Sequence, residues 1–510
     1  MKIIMLARVA VETVSPLAVC SGDRDLLSSD SLARDWNDLP YLPATSLTGV
    51  WRSVIEGMQT LNASDPDNRS LKVQPGEWFG YADDRQGKSM ASRIILSDGL
   101  LLDSNSRLPG QSRDGLLLPL DHAVGDDPVY RLVSKAAEND YVRPHCRLNA
   151  RRVCHDGALY HSKVLPTGLR FAFDVRFELK TLEEQETCLR FLEFFRSGYF
   201  SLGSKTANGQ GRLKVIGQKV EIFDLEAWKD RPGEMARKMR EFLLERQVAV
   251  DPPADVAFAP SRSWNIRLSS QGTMRVGTGS SSRKNFRGAS QEREFGFMKG
   301  EASDENNVQH CYSETRLRWN GSKYQDQIAQ IVIPGSTIKG ILAHRTMYHF
   351  LRNAKMFAGT GDENHRDPAA MLRALLNNET PPAELEPYYR LFGVNDPGDQ
   401  KLSRSGALMV SDAVVECRSM ITRMHNRIDR FTGGVMPSGL FGQVRLVDPS
   451  FTVNIRLRPQ RFHDLKDAAI MKSFEDTIYD LKNGFLNICA GSGRDTAVFT
   501  GTDCQEDSHD

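Results

Sequence analysis

VIPGSTIKGILAHR, residues 332–345, and YLPATSLTGVWRSV, residues 41–54, are two copies of one device. Each sets a proline turn, at Pro334 or Pro43, ahead of a stretch with helical spacing. Hydroxyl residues after such a turn are expected to cap the helix, which points to Ser336 or Thr337 in one copy and Thr45 or Ser46 in the other. Outward from these copies, further landmarks recur in the same order. WFG (78–80) returns as LFG (391–393), and SRIILSDG (92–99) as SGALMVSDA (405–413). HCRLNARRVCHDGALYHSKVLPTGLRFAFDVRF (145–177) returns as HNRIDRFTGGVMPSGLFGQVRLVDPSFTVNIRL (425–457). A looser pair closes each half, GYFSLGSKTANGQGRLKV (198–215) and GFLNICAGSGRDTAVFTG (484–501). A repeat of this length is a domain and not a solenoid unit, so the chain reads as a duplication.

The boundary falls in VAVDPPADVAFAPSRS (248–263), where Pro252, Pro253 and Pro260 remove backbone donors and stop the helical run before them. The division is therefore residues 1–248, a linker at 249–262, and residues 263–510. Within each half the order is strand, helix, strand, strand, helix, strand. That order predicts an α+β protein of two fused ferredoxin-like, RRM-like domains. The halves differ by insertions, since the interval from Asp98 to His145 is far longer than that from Asp412 to His425.

Composition narrows the class. The 510 residues are 40% hydrophobic and 26% charged, which excludes wholesale disorder. No apolar stretch reaches the length of a membrane span. The opening MKIIMLARVAVETV meets Arg8 too early for a secretory segment and reads as a strand. Eight cysteines without a C-x-x-C pair fit a reduced, cytoplasmic protein. A net charge of +1 means that any case for nucleic acid rests on local clusters.

Such clusters exist, and each has a plainer reading as ordinary structure. Helix-start amides at Ser46 and Ser336, with Lys339 one turn in and Arg52 further along the first copy, suit a phosphate, although a capped helix needs no ligand. The closing loops carry Lys205 and Arg212 among glycines, and Arg494 in the second copy; these suit an anion or serve as turns. Arginines gather at corresponding places, Arg143 and Arg147 around His145, and Arg423 and Arg427 around His425. A near-neutral protein that does this twice is expected to track a phosphate chain there. His145, Cys146, Cys154 and His155 form an H-C-x7-C-H pattern, whose spacing argues against zinc. Residues 21–40 are acid-dense, with Asp23, Asp25, Asp30, Asp35 and Asp38, and read as a loop. A carboxylate beside RNA can act as general base or hold a divalent ion.

Together, IPGSTIKG, the [WL]FG…SD pair, the His-Arg segment and the closing glycine loop resemble the RAMP superfamily of CRISPR-associated proteins. More closely, each half is similar to the crRNA-binding backbone subunit of type III effector complexes, over residues 1–248 and 262–501. Two fused copies look like the double backbone subunits of subtype III-D. The resemblance implies a modified RNA-recognition palm with a thumb hairpin, here 143–171 and 423–451. It implies crRNA, target RNA and other type III subunits as partners, no membrane, and no organic cofactor. It also implies cleavage of target RNA by an aspartate ahead of the Pro turn with Mg²⁺. That position falls on Asp30, with Asp23 and Asp25 as second choices. In the second half the position aligns with Ser313, leaving neighbouring Glu314 and more distant Asp304 as candidates. The first half has Ala44 where the family pattern has Gly, and Thr48 where it has Lys.

Two alternatives to a target-cutting subunit follow from the same residues. One is a non-catalytic crRNA-binding scaffold. The other is a crRNA-processing endoribonuclease working through histidine, against which stands the absence of any histidine before His122.

Overall fold

The computed structural model describes residues 3–24, 30–62, 74–83, 88–110, 126–134, 141–148, 154–254, 262–277, 308–354, 385–394, 404–458, 461, 467–488 and 497–504. Each half is built on an antiparallel sheet. In the first, strand Ile3–Thr13 lies between Leu213–Asp224 and Arg170–Leu179. Ile94–Leu96 and Gly99–Leu101 pair with the far side of Arg170–Leu179, and Tyr41–Leu42 closes that edge. In the second, Ser263–Ser269 lies between Thr500–Asp503 and Ser450–Leu457, and Leu408–Val410 pairs beyond. Numbered within its half, each sheet runs fourth, first, third, second, as a ferredoxin-like plait does.

Every residue of Ile3–Thr13 is buried, because both faces of the sheet are covered. One face carries helices Ala44–Asn62 and Glu184–Glu193. The other meets helix Pro232–Leu244 through Phe242 and receives Val248 beside Ala10 and Ile216. The proline segment thus begins packed on the first sheet, where Val248 donates its amide to the Ser106 carbonyl. The charges inside this strand are matched. Arg8 pairs with Asp174 at 2.7 Å and Glu12 with Arg170 at 2.9 Å.

The two helix layers differ in kind. In the first half Trp51 is fully buried, stacked on Phe195 and edge-on to Phe79, Phe177 and Phe191. Its indole nitrogen donates to the Phe191 carbonyl at 2.9 Å. Ile55 and Met58 continue that face. In the second half, helices Gly335–Asn353 and Ala468–Lys482 meet through Thr346 on Thr477, at 3.0 Å, and His349 on Asp480, at 2.7 Å. On the alignment of the two Pro turns, Thr346 and His349 take the places of Ile55 and Met58.

Each half also projects a hairpin: Val142–Leu148 with Cys154–Lys163, and Ser419–Ile428 with Val435–Val447. His145 faces Tyr160 across the first and His425 faces Phe441 across the second. No helix among the described residues is long and apolar enough to cross a membrane.

Candidate nucleic-acid interface

The helix starts are capped differently from the expectation. Asp98 Oδ1 accepts the Ala44 amide at 2.8 Å, and Asp412 Oδ1 accepts the Gly335 amide at 2.7 Å. The cap is therefore the aspartate of the Ser-Asp landmark, reaching from the neighbouring strand turn. Helix Gly335–Asn353 has no side-chain cap from its own first residues. Ser46 and Ser336 are half-buried and Thr45 and Thr337 exposed.

The second helix start is also where the halves meet. A Cβ added to Gly335 would sit 2.3 Å from the Val410 carbonyl oxygen and 2.7 Å from that of Asn208. Asn208 belongs to the closing loop of the first half. Gly209, at φ +93°, lies equally close to Asp412, where a Cβ would fall 2.8 Å from the backbone nitrogen. Backbone meets backbone here, which leaves no room for side chains. Two motifs that lie far apart in sequence, the first closing loop and the second Pro-Gly turn, are thus in direct contact.

Arg143 lies inside this junction and not on the surface expected for a phosphate contact. It is 1% exposed. Its guanidinium donates to both Glu314 oxygens at 2.8 Å and to Asp412 Oδ1 and Oδ2 at 3.2 and 2.7 Å. Burial opposes its charge, but the two carboxylates outweigh burial and hold its pKa well above the ordinary arginine value. Glu314, the acid proposed for the second half, also receives the Tyr312 hydroxyl. Burial pushes the Glu314 carboxyl up, against the pull of Arg143. Both of its oxygens are occupied, so it serves the junction and has none left over for an incoming ligand.

Cations collect on the other side of the same contact. Arg212 hydrogen-bonds Ser411 Oγ across the junction at 3.1 Å. Arg456 reaches back to the Gly198 carbonyl at 2.7 Å, and Arg458 Nη2 to Thr206 Oγ1 at 2.8 Å. Lys339 is 7% exposed. Burial first, and the Arg458 charge second, push its amine down to about 7. Burial also lowers Arg456 to about 10, with Arg212 adding to the effect. Neither Arg456 nor Arg458 stood out in the sequence. The sequence reads Lys339 as a phosphate contact at the helix start; in the structure it lies on the buried helical face with Gly335, Ile338, Leu342, Thr346 and His349.

The hairpins carry the remaining basic residues. His145 is 8% exposed, stacked on Tyr160 at 5.0 Å and bonded through Nε2 to Ser162 at 2.9 Å. Burial, then Lys205 and Arg143, drive its pKa to about 3, so it stays neutral and offers no charge to phosphate. Lys205 lies over the Tyr160 ring at 4.7 Å. The second hairpin repeats the arrangement, with His425 on Phe441 at 5.4 Å and Arg427 over the same ring at 5.6 Å. Arg418, Arg427 and Arg430 are exposed and Arg423 half-buried. Met424, Ile428 and Phe431 stand out beside them, Phe431 fully exposed at the tip. Arg52 pairs with Glu56 at 2.8 Å and donates to the Gly80 carbonyl.

The acid-dense stretch is more ordered than a loop. Cys20–Arg24 pairs with Asp30–Leu32, setting Arg24 opposite Asp30. Asp35 accepts the Asn37 and Leu39 amides and so shapes the turn after the ribbon. Only the backbone of Asp23, Asp30, Arg147, Cys154 and His155 is described, and Asp25, Asp304 and Arg494 lie outside the described residues. Among the described residues no three His, Cys, Asp or Glu side chains converge as a metal site.

Residues 10–214 match the family model of the RAMP superfamily. The match takes in the first Pro turn, the first hairpin and the first closing loop, and covers less than half of the chain. No curated protein matches this chain.

Proposed function

We propose that this protein is an RNA-binding subunit of a CRISPR effector complex, a tandem of two RAMP backbone modules of the type III kind, which holds guide RNA by its phosphates. The observation that carries this reading is the junction. The closing loop of the first half and the Pro-Gly helix start of the second bring Arg212, Arg456, Arg458 and Lys339 together at one contact. The carboxylates at the same contact, Glu314 and Asp412, are already taken by Arg143. A concentration of buried and half-buried cations is stabilised by an anion, and a chain of phosphates is the anion that the paired hairpins and loops fit. Arg212→Ala and Arg458→Ala are expected to weaken binding of single-stranded RNA for all sequences alike, with a shallower salt dependence. Loss confined to particular sequences would contradict backbone recognition.

Target cleavage belongs to the same proposal and rests on the resemblance at Asp30. The carboxylate would take the proton of a 2′-hydroxyl as its oxygen attacks the adjacent phosphorus. The bond from phosphorus to the 5′-oxygen then breaks and that oxygen takes a proton from water, giving a 5′-hydroxyl and a 2′,3′-cyclic phosphate. A-form RNA does not align these atoms, so a nucleotide has to be splayed first, a task for the apolar, arginine-lined second hairpin or its counterpart in a neighbouring module. Mg²⁺ would stabilise the developing charge. The described side chains form no set that would hold it, and no step above depends on it. The scaffold reading is favoured for the second half alone, where Glu314 is committed to Arg143.

A further inference from the structure

Lys339 and Arg458 form an unusual pair. Lys339 stands one turn into helix Gly335–Asn353, is 7% exposed, and has no hydrogen bond or ion pair with any described residue. Arg458 donates to Thr206 Oγ1 at 2.8 Å and Ser405 Oγ at 3.4 Å, while its Nε is buried without a partner. A buried lysine and a half-buried arginine therefore lie near one another, with an unused donor on Arg458. A buried charge without a counter-charge is costly, so Lys339 favours the amine over the ammonium when no anion is beside it.

Among the described residues the surroundings supply no carboxylate that is not already paired. At the helix start, Asp412 is held by the Gly335 amide and Arg143. On helix Ala468–Lys482, Asp480 is held by His349 and Arg345. On helix Glu386–Phe392, Glu386 is held by Arg404 and Arg390. The charge that bears on Lys339 is Arg458 and the charge that bears on Arg458 is Arg461, both positive. Arg212 and Arg456 stand against one another on the neighbouring loop and strand.

We infer that Lys339 and Arg458 form a pocket for a single phosphate group and that filling it takes up a proton at Lys339. The inference rests on the reading of the junction as an RNA path, and adds to it a coupling between guide binding and pH. The sign follows from charge. A bound phosphate favours the ammonium form, so affinity is greatest below the empty-state titration of Lys339, which lies at about 7. It falls as pH rises, by at most about tenfold per unit for one proton taken up. The first half holds an internal control. Thr48 occupies the corresponding position and gives its hydroxyl to the Ala44 carbonyl at 2.8 Å, so that helix start has no proton to exchange.

The test is calorimetric titration of the full chain with a single-stranded guide RNA and, separately, with inorganic phosphate. Both are run at pH 6.5, 7.5 and 8.5, and at pH 8 in two buffers of different ionisation enthalpy. The expected result is uptake of close to one proton with RNA, and affinity falling roughly tenfold between pH 7.5 and 8.5. Lys339→Arg keeps its charge at every pH and should retain binding without the slope. Lys339→Met should bind weakly at all three pH values, and circular dichroism reports that both variants are folded. Tight RNA binding with no proton uptake overturns the inference and leaves the RNA reading standing. Uptake with inorganic phosphate but no RNA binding keeps the pocket and overturns the RNA reading. A slope that survives in Lys339→Arg assigns the proton to another group and overturns the inference.

Discussion

Asp98 holds the Ala44 amide and Asp412 holds the Gly335 amide, yet the two caps live in different surroundings. Asp98 is exposed. The Asp412 side chain is only 9% exposed and also receives Arg143 from the first half's hairpin. The glycine follows the same division. Gly335 is pressed by the Asn208 carbonyl of the closing loop, so no larger residue fits, whereas Ala44 has a methyl group at the matching position. Duplication has kept the backbone device, while the side chains record which copy has a neighbour packed on it.

The comparison can be broken most sharply at the acids. Asp30→Ala is expected to remove one cut in a labelled target RNA, with a rate loss of about 10²–10⁴ and unchanged guide binding. Glu314→Gln should leave the cut pattern as it was. A cut lost with Glu314→Gln and kept with Asp30→Ala would reverse the assignment of the two halves. Next in size is the clamp. Arg143→Met strands Glu314 and Asp412 without a counter-charge and should lower unfolding free energy by about 3–5 kcal/mol in a urea titration. Its counterpart, half-buried Arg423, should cost about 1 kcal/mol or less when changed to Ala. Equal losses at the two positions would mean that the clamp is not what distinguishes them.

Gly335→Ala comes third, at about 1–3 kcal/mol, since its methyl group would fall 2.3 Å from the Val410 carbonyl oxygen of its own half and 2.7 Å from the Asn208 carbonyl oxygen of the other. Ala44→Gly should cost no more than about 1 kcal/mol, the ordinary price of glycine in a helix. Thermal melts of the two variants compare them directly. The smallest effect belongs to the exposed second hairpin. Arg427→Glu should weaken RNA binding without sequence preference and flatten the salt slope by about one unit. An unchanged slope would place the RNA path away from that hairpin.

The repeat was legible because its landmarks are backbone requirements. Proline turns, Ser-Asp turns and glycine loops keep their residue types wherever they occur, so the plait order in both halves followed from them. The destinations of the basic residues were not legible. Arg143 and His145 are two positions apart in one strand and so share a face, and both are buried, while Pro144 between them is half-buried and Cys146 after them is exposed. Alternation says that 143 and 145 go together, but a run of arginines carries no sign of which face meets a neighbour. Glu314 was noticed as an acid near the Asp30 position, and its partner, from a hairpin 171 positions earlier, was beyond any local pattern. The stretch 21–40 lacked apolar alternation and read as a loop, although Cys20–Arg24 and Asp30–Leu32 pair through backbone groups that need none.

Arg143 also sets an order of assembly. Its guanidinium belongs to the first half, whereas the two carboxylates it neutralises belong to the second. The first half completes its sheet from its own strands, although Leu317 of the second half reaches into its core. The second half, folding alone, would hold Glu314 and Asp412 without that counter-charge. Synthesis from the N-terminus delivers the arginine before the acids, so the earlier half is a template on which the later half closes. For this charge the dependence runs one way: exchanged in sequence, the acids would emerge first and wait for their arginine.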